Sequence, residues 1–275
     1  MKKRFFISFT FAIVFLLPYQ SIAQFTPEEL AEREKWEEFL KTAEIIDHRQ
    51  MTGPEAVTNP YVLTLKKDNI TRNALWKNPK GKFKGYLEGW KYEIAAYRLD
   101  KYLGLNMVSP TVEKVFKGKR GSCQLWVESK MSLKVKEKQK IAVPRGCVTS
   151  WNRALYLQRA FDSLIANADR HQGNILITED WRFILIDHSR SFRCSKRFTK
   201  ELIFSLAGKD DSHGIMPLPK AFIEKIKTLN FELIRDIVGE YLTKDEINAI
   251  LARKELILKE IDRLVKKFGE DEILY

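Results

Sequence analysis

The first half of the chain is dominated by short apolar runs bounded by turn residues, a pattern that predicts β-strands. We place strands over residues 61–65, 70–77, 108–116 and 123–128. Residues 86–103 depart from this pattern, because their apolar side chains recur at helical spacing and Gly104 follows as a stop signal. The first half therefore predicts a small sheet accompanied by one helix.

Helical spacing prevails in the second half. A helix is predicted from a cap at Thr149 and Ser150 to about residue 166, and from Pro219 the chain has helical periodicity to its end. Between these helices stand two short apolar runs, Ile175–Ile177 and Phe183–Ile186, joined by a polar turn. Such an arrangement indicates a β-hairpin. The whole chain is thus predicted to be an α+β protein with its strands gathered mainly in the first half.

The N-terminal segment has the features of an export signal. A basic start is followed by an apolar stretch over residues 5–17, which is too short for a typical membrane span, and by small residues before position 24. We interpret residues 1–23 as a secretory signal peptide, which predicts a periplasmic or secreted protein. The alternative is an uncleaved N-terminal anchor. A helix is predicted to follow, from its cap at Thr26 to about Glu44.

Composition and charge indicate which kinds of molecule the chain could bind. The chain has 275 residues, a formal net charge of +12 and three cysteines. A basic protein attracts phosphate, nucleic acid or anionic membranes. The chain lacks zinc-ligand spacing and an RNA-binding aromatic signature, so no nucleic acid is expected as a partner. Cys123, Cys147 and Cys194 allow one disulfide or none, and their spacing does not decide between these.

Candidate chemistry lies at the two ends of the predicted hairpin. Asp169 and Asn174 stand just before its first strand, and Asp187 ends its second strand, so the hairpin returns the three side chains to one place. Mg²⁺ prefers oxygen ligands, usually one or two carboxylates plus substrate phosphates. Asn174 and Asp187 are therefore candidate metal ligands, and Asp169 is the candidate base or orienting group for an attacking hydroxyl. The spacing from Asp169 to Asn174 is that of the kinase catalytic loop.

The motif Asp169-Arg-His-Gln-Gly-Asn174, followed by Ile186-Asp187, resembles the catalytic core of the atypical kinases. These include the phosphatidylinositol 3/4-kinases, the HipA-type kinases and the secretory-pathway kinases. The resemblance implies a two-lobed α+β fold that transfers the γ-phosphoryl group of ATP to a hydroxyl, with Mg²⁺ or Mn²⁺. It implies a small β-rich N-lobe with one key helix over residues 51–130, a mainly helical C-lobe over residues 131–275, and a helical extension over residues 24–50.

The resemblance also implies roles for residues of the N-lobe. Lys77 ends a predicted strand, and a strand lysine of this kind contacts the ATP phosphates in kinases while paired with a glutamate of the next helix. Glu93, sixteen residues later on the predicted helix, is the candidate partner, and Glu88 is its rival. Lys77 and Glu93 are thus assigned to catalysis together with Asp169.

Adenine and the phosphates need further contacts in such a fold. By resemblance, Trp126, Val127 and Glu128 would form the hinge between the lobes, whose backbone holds adenine. The glycine-rich loop that covers the phosphates in typical kinases is absent, and Thr52 and Gly53 are the candidates for covering them instead.

Four further residues in or near the motif can be interpreted. His171 is expected to brace the catalytic loop, whereas Arg170 is a candidate for binding a phosphate oxygen. His188 and Ser189 follow Asp187 where typical kinases have Phe and Gly, so an activation switch of the familiar kind is not expected.

Alternatives stay open at this point. The missing glycine loop, the altered residues after Asp187 and the scarcity of ATP outside the cytoplasm favour an exported pseudokinase that binds a ligand or partner without catalysis. A cluster of lysines between residues 130 and 140 also suggests contact with an anionic membrane surface. The sequence does not identify the hydroxyl-bearing acceptor as protein, lipid or sugar, and it does not determine the oligomeric state.

Overall fold

The structure is a computed structural model, and it describes residues 25–53, 59–83, 86–204 and 217–275. The predicted signal peptide over residues 1–23 lies outside these described residues. Within them, no helix is both long enough and apolar enough to cross a membrane. The predicted α+β class is confirmed, because a β-rich N-terminal part is followed by a mainly helical C-terminal part.

The N-lobe is built around a five-stranded antiparallel sheet with strand order β1-β2-β3-β7-β6. Two further strands, β4 and β5, form a separate hairpin that leads into the key helix α3. The elements in chain order are α1 (Pro27–Ala31), α2 (Arg33–Thr42), β1 (Glu44–Gln50), β2 (Tyr61–Lys67), β3 (Ile70–Lys77), β4 (Lys80–Phe83), β5 (Tyr86–Gly89), α3 (Trp90–Leu103), β6 (Thr111–Phe116) and β7 (Lys119–Leu125).

The central strand β3 carries Lys77 at its end and is held by neighbours on both sides. On one side Lys77 lies opposite Ser122 of β7. Gly121 precedes Ser122 on β7. A Cβ added at Gly121 would lie 2.5 Å from the Lys77 carbonyl oxygen. Any larger residue would have to push β7 away from the end of β3. Glycine at this position therefore allows the close strand contact that fixes the backbone of Lys77.

The helical extension predicted over residues 24–50 is wrong for its last part, because Glu44–Gln50 is the edge strand β1 of the sheet. The helix α2 ends at Thr42, where its terminal carbonyl groups need donors. The buried ammonium group of Lys114, on β6, donates to the carbonyl oxygens of Leu40 and Ala43, both at 2.8 Å. This bond set closes the helix, and the extended conformation of Ala43 then turns the chain into β1.

The key helix α3 begins at Trp90, later than the predicted start at residue 86, because residues 86–89 pair with β4 as strand β5. It ends at Leu103 as predicted, and Gly104 adopts the left-handed conformation (φ 74°) that commonly terminates helices. The helix contacts both the sheet of the N-lobe and α8 of the C-lobe. Glu93, in its first turn, is therefore buried.

The C-lobe contains the predicted hairpin and the predicted helices. Its elements are β8 (Met131–Ser132), α4 (Leu133–Lys138), α5 (Val148–Ile165), β9 (Ile175–Ile177), β10 (Phe183–Leu185), α6 (Lys196–Lys200), α7 (Lys220–Thr228), α8 (Phe231–Val238), α9 (Lys244–Phe268) and α10 (Glu270–Ile273). The antiparallel pairing of β9 with β10 confirms the hairpin. The predicted cap at Thr149 and Ser150 is wrong, because α5 already begins at Val148.

Asp100, near the end of α3, holds the loop that follows the helix. One carboxylate oxygen accepts a hydrogen bond from the Met107 amide at 2.9 Å, whereas Oδ2 is buried without a hydrogen-bond partner. Burial raises the pKa of Asp100 to about 7, although backbone amides and the charge of Arg33 act in the opposite direction. The folded protein therefore holds a proton on Asp100 at acidic pH.

We expect Asp100 to make the protein less stable as the pH rises from about 4, near the ordinary pKa of Asp in an unfolded chain, towards 7. In this interval the folded state keeps the proton that the unfolded state releases. The free energy of unfolding should fall by about 1.4 kcal/mol per pH unit relative to Asp100→Asn, which cannot titrate. Urea denaturation across this interval measures the difference. Asp236→Asn, at an exposed position, is the control, and parallel pH profiles for the wild type and Asp100→Asn would contradict the prediction.

Candidate active site

The two lobes enclose a cleft of about 820 Å³. Lys77 lines it from the end of β3, and Asp169, Asn174 and Asp187 line it from the two ends of the β9–β10 hairpin. The hairpin thus brings the three polar residues of the motif to one cleft and places them opposite Lys77. Glu93 does not line the cleft but contacts Lys77 from the buried side.

Lys77 is bonded to two carboxylates. Its ammonium nitrogen lies 3.2 Å from Oε1 of Glu93 and 3.1 Å from Oδ1 of Asp187. Burial disfavours the charge on Lys77, but Asp187 and Glu93 outweigh this effect and raise its pKa above the ordinary value. Lys77 is therefore a permanent cation, linking the N-lobe to the residue predicted to bind metal. The rival partner, Glu88, bonds to Arg190 instead.

Glu93 is buried and receives donors from the C-lobe as well. Its second oxygen accepts a hydrogen bond from the backbone amide of His188 at 2.9 Å. Burial would raise the pKa of Glu93, but the positive charge of Lys77 and the bonds from His188 hold the pKa far below its usual range. Glu93 is thus an ionised carboxylate that ties α3 to the segment following Asp187.

The His188 ring extends this polar contact towards the catalytic loop. Its Nε2 lies 2.9 Å from Arg170, and because arginine can only donate, Nε2 is the acceptor. Burial lowers the pKa of His188, so its imidazole is neutral and carries its proton on Nδ1, 3.5 Å from Glu93. A neutral histidine therefore connects Glu93 with Arg170, at the position where typical kinases have phenylalanine.

Arg170 braces the catalytic loop, contrary to the expectation that it would bind phosphate. Its guanidinium group is buried and uses all five N–H groups. It bonds Asp162 of α5 through two nitrogens, His188, and the carbonyl oxygens of Asn174 and Ile186. Arg170 thereby joins α5 to both ends of the hairpin, and no N–H group is left for a ligand.

His171 was expected to brace the loop, but its side chain is exposed and lines the cleft. Its ring nitrogen Nδ1 accepts a hydrogen bond from the amide of Gly173 at 3.1 Å. Arg170 therefore has the bracing role that we expected for His171, and His171 faces the cleft, where we expected Arg170. Burial decides this exchange, because only Arg170 faces the buried Asp162.

Asp169 has a cation beside its carboxylate. Oδ2 of Asp169 lies 3.2 Å from Nη1 of Arg190, whose other nitrogens bond Oε1 of the buried Glu88 at 2.6–2.7 Å. About a third of the Asp169 side chain is exposed (34%), so the carboxylate opens onto the cleft. Asp169 is therefore oriented by Arg190 while an approaching molecule can still reach it.

Asn174 and Asp187 present oxygen atoms suited to a hard divalent cation. The amide nitrogen of Asn174 donates to the carbonyl oxygen of Asp169 at 3.2 Å, which leaves Oδ1 of Asn174 as the ligand atom. Asp187 adopts the left-handed conformation (φ 58°), and its described bonds, to Lys77 and Ser189, both go to Oδ1. Among the described residues no cluster of three or more His, Cys, Asp or Glu side chains that could hold a metal ion occurs. Mg²⁺ usually combines one or two carboxylates with substrate phosphates.

The predicted hinge residues do not line the cleft. Trp126, Val127 and Glu128 instead line a separate cavity of about 440 Å³ beside the N-terminal helices. The amide of Trp126 donates to the carbonyl oxygen of Asn73 at 3.0 Å and so is not available to a base. Only backbone groups of Val127 and Glu128 therefore stay candidates for contact with adenine.

The apolar end of the cleft is formed by other residues. Met51, Pro60, Leu75 and Ile186 line it. Leu75 lies two residues before Lys77 on β3, and Ile186 immediately precedes Asp187, so both flank the polar centre of the cleft. Of the residues predicted to cover the phosphates, neither Thr52 nor Gly53 lines the cleft, although Met51 beside them does. The sequence interpretation did not identify the four apolar residues Met51, Pro60, Leu75 and Ile186 as part of the cleft.

The lysines between residues 130 and 140 do not form a uniform basic surface. Lys136 is buried, bonds Glu137 at 3.0 Å and lies over the ring of Trp151. Lys130 bonds Glu179, whereas Lys138 and Lys140 are exposed. The three cysteines, at positions 123, 147 and 194, are all free, so the alternative without a disulfide applies.

Replacement of Arg170 by Met should strongly destabilise the protein. The substitution leaves the carboxylate of Asp162 buried without its cation, a change that typically costs about 3–5 kcal/mol. Urea denaturation monitored by circular dichroism measures the loss in the free energy of unfolding. Arg159→Met, at an exposed position of α5, is the control. A loss below about 1 kcal/mol for Arg170→Met would contradict the bracing role, since it equals a single ordinary hydrogen bond.

Comparison with known proteins agrees with this geometry. Residues 96–215 match a family model described as the ABC1 atypical kinase-like domain, a span that includes Asp169, Asn174 and Asp187. The fold is similar to the crystal structure of the Helicobacter pylori proinflammatory kinase CtkA, with a TM-score of 0.53, 12% identity and coverage of 84% of this chain and 97% of that chain. No curated protein sequence matches the chain. The chain is thus similar to an atypical kinase-like domain over residues 96–215 and shares the fold of a solved kinase.

Proposed function

We propose that this protein is an exported ATP-dependent phosphotransferase that moves the γ-phosphoryl group of ATP to a hydroxyl of an acceptor. The observation that carries the proposal is the position of Lys77, bonded to both Glu93 and Asp187 in the cleft that Asp169 and Asn174 also line. The match of residues 96–215 to the model of an atypical kinase-like domain supports ATP with a divalent metal as the general cofactor pair.

Each residue has one task in this proposal. Lys77 contacts the α- and β-phosphates, with its charge maintained by Glu93. Oδ1 of Asn174 and the carboxylate of Asp187 hold Mg²⁺ or Mn²⁺, which when bound neutralises phosphate charge. Asp169 orients the acceptor hydroxyl and accepts its proton.

In the proposed transfer one phosphorus–oxygen bond forms and one breaks. The acceptor oxygen forms a bond to the γ-phosphorus, and the bond between that phosphorus and the oxygen of the leaving ADP breaks. The hydroxyl proton passes to Asp169. Phosphoryl transfer depends mainly on positioning and on electrostatic stabilisation, which a small set of fixed polar side chains can supply.

The base of the nucleotide is assigned to the apolar end of the cleft. Leu75 and Ile186 offer the apolar surfaces on which a flat ring packs, and Met51 and Pro60 close the same end. Thr52 and Gly53 lie next to Met51, and we assign to them a covering role over the phosphates.

Export and the acceptor belong to the proposal as well. Export rests on the signal-like pattern of residues 1–23. The acceptor is a hydroxyl-bearing protein, lipid or sugar. A lipid acceptor or a nearby anionic membrane would be reached through the exposed Lys138 and Lys140, a smaller basic surface than the sequence suggested.

A second candidate function is a pseudokinase that binds a nucleotide or partner without catalysis. The contact that favours it is the bond between Lys77 and Asp187, because it engages one oxygen of the predicted metal ligand. The pseudokinase function competes with the catalytic proposal only if bound metal and nucleotide fail to replace the bond between Lys77 and Asp187.

Binding of nucleotide is tested by the thermal stability of the purified protein titrated with ATP, in the presence of Mg²⁺ or of Mn²⁺. We expect a metal-dependent rise in Tm, because a ligand that binds the native state stabilises it. Asp187→Asn should lose the metal-dependent part of the rise, whereas Asp236→Asn, at an exposed site on α8, should keep it. No rise under any metal would contradict the proposal, and a rise without phosphoryl transfer would favour the pseudokinase.

Transfer to water, measured as phosphate release from ATP, tests the contribution of the Lys77–Glu93 pair without knowledge of the acceptor. Glu93→Gln removes the carboxylate charge that holds Lys77 in place. We expect the rate to fall by about 100-fold, the usual effect of losing one electrostatic group of an active site. Glu232→Gln, on the surface of α8, is the control. Unchanged turnover in Glu93→Gln would contradict the assigned role.

A further inference from the structure

Arg190 is the cation beside the group that would receive the acceptor proton. Its Nη1 lies 3.2 Å from Oδ2 of Asp169, and its side chain lines the cleft. Burial acts against the charge of Arg190, but Glu88, Asp169 and Asp187 outweigh burial and raise its pKa. Arg190 is thus charged and within electrostatic range of both aspartates of the site.

The position of Arg190 is set before any ligand binds. Glu88 is almost fully buried and takes Nε and Nη2 of Arg190 at 2.7 and 2.6 Å. The backbone is fixed at the same place, because the amide of Gly89 donates to the carbonyl oxygen of Ser189 at 2.9 Å. These contacts join β5 of the N-lobe to the segment after Asp187. A donor held in this way does not have to reorganise when the reaction occurs.

Two neighbouring cations, Arg170 and Lys77, are engaged in other tasks. Arg170 uses every N–H group within the protein. Lys77 bonds Glu93 and Asp187. Arg190 is therefore the guanidinium that stands where the acceptor oxygen, the γ-phosphorus and Asp169 would meet.

We propose that Arg190 is a catalytic residue that contacts the transferring γ-phosphoryl group and orients Asp169. This inference rests on the proposed phosphotransferase function. The γ-phosphorus forms its new bond to the acceptor oxygen beside Asp169 while the bond to ADP breaks near Asp187. Negative charge then spreads over the equatorial phosphoryl oxygens. The guanidinium beside Asp169 donates to those oxygens, and Asp169 takes the proton of the hydroxyl.

A merely structural role predicts different behaviour. If Arg190 only joined β5 to the segment after Asp187, its loss would lower Tm and weaken ATP binding together with the rate. A contact made in the transition state instead lowers the rate at saturating ATP and leaves ATP affinity nearly unchanged. The split between kcat and Kd therefore separates the two roles.

The experiment measures phosphate release from saturating ATP with Mg²⁺, together with the Kd for ATP from thermal-shift titration, for the full protein. Arg190→Gln should lower kcat by about 10³-fold, the lower range for a catalytic arginine of phosphoryl transfer, with Kd changed less than about twofold. Arg190→Lys should be intermediate, because lysine keeps the charge but cannot bridge Glu88 and Asp169. Arg197→Gln, an exposed arginine on α6, is the matched control and should retain wild-type kcat.

Chemical rescue provides a second readout. Millimolar guanidinium should restore part of the lost rate in Arg190→Ala and leave the wild type unaffected. Arg190→Gln with wild-type kcat, or with equal losses in kcat and in affinity, would overturn the role of Arg190 while the wild-type activity still supports the proposed function. A wild-type protein that binds ATP but releases no phosphate would contradict both, and one that binds no ATP would remove the proposed function itself.

Discussion

A buried carboxylate must be surrounded by donors, and meeting this demand at Glu93 connects the two lobes. Lys77 reaches it from the central strand of the sheet, and the amide and ring of His188 reach it from the end of the hairpin. The polar chain then continues through Arg170 to Asp162 on α5. The central strand, the key helix, the segment after Asp187 and the loop that carries Arg170 therefore share one set of contacts in a low-dielectric interior, where each bond is strong and each loss is costly.

The N-terminal helices affect the site from outside. They pack against the sheet through Phe39 and Leu40, and Glu29 of α1 bonds Arg182 in the hairpin turn of the C-lobe at 2.6 Å. One short segment thus touches both lobes. The same N-terminal segment lines the cavity that Trp126, Val127 and Glu128 also line, which explains why these three residues do not line the cleft.

The features that the sequence predicted well are those determined by neighbours in the chain. The hairpin, its polar ends and the stop at Gly104 follow from local periodicity and turn chemistry, so they could be read directly. The strand β1 could not, because it exists through pairing with β2 and through the closure of α2 by Lys114, which lies 71 residues after Ala43. The opposite roles of Arg170 and His171 were decided by the burial of a partner, Asp162, which lies 8 residues before Arg170. Asp162, an acid between apolar residues of α5, was the available signal for that partner.

Histidine in place of the usual phenylalanine after Asp187 has a consequence for how sequences of this kind can vary. A phenylalanine can be exchanged for another apolar side chain of similar size, because apolar packing is tolerant of such changes. His188 instead accepts a hydrogen bond from Arg170 through Nε2 and holds Nδ1 3.5 Å from Glu93, so its loss would leave one N–H group of the buried Arg170 without a partner. Relatives with an apolar residue at this position should therefore differ at Arg170 or Asp162 as well. Glu93, His188, Arg170 and Asp162 should then be inherited as a set.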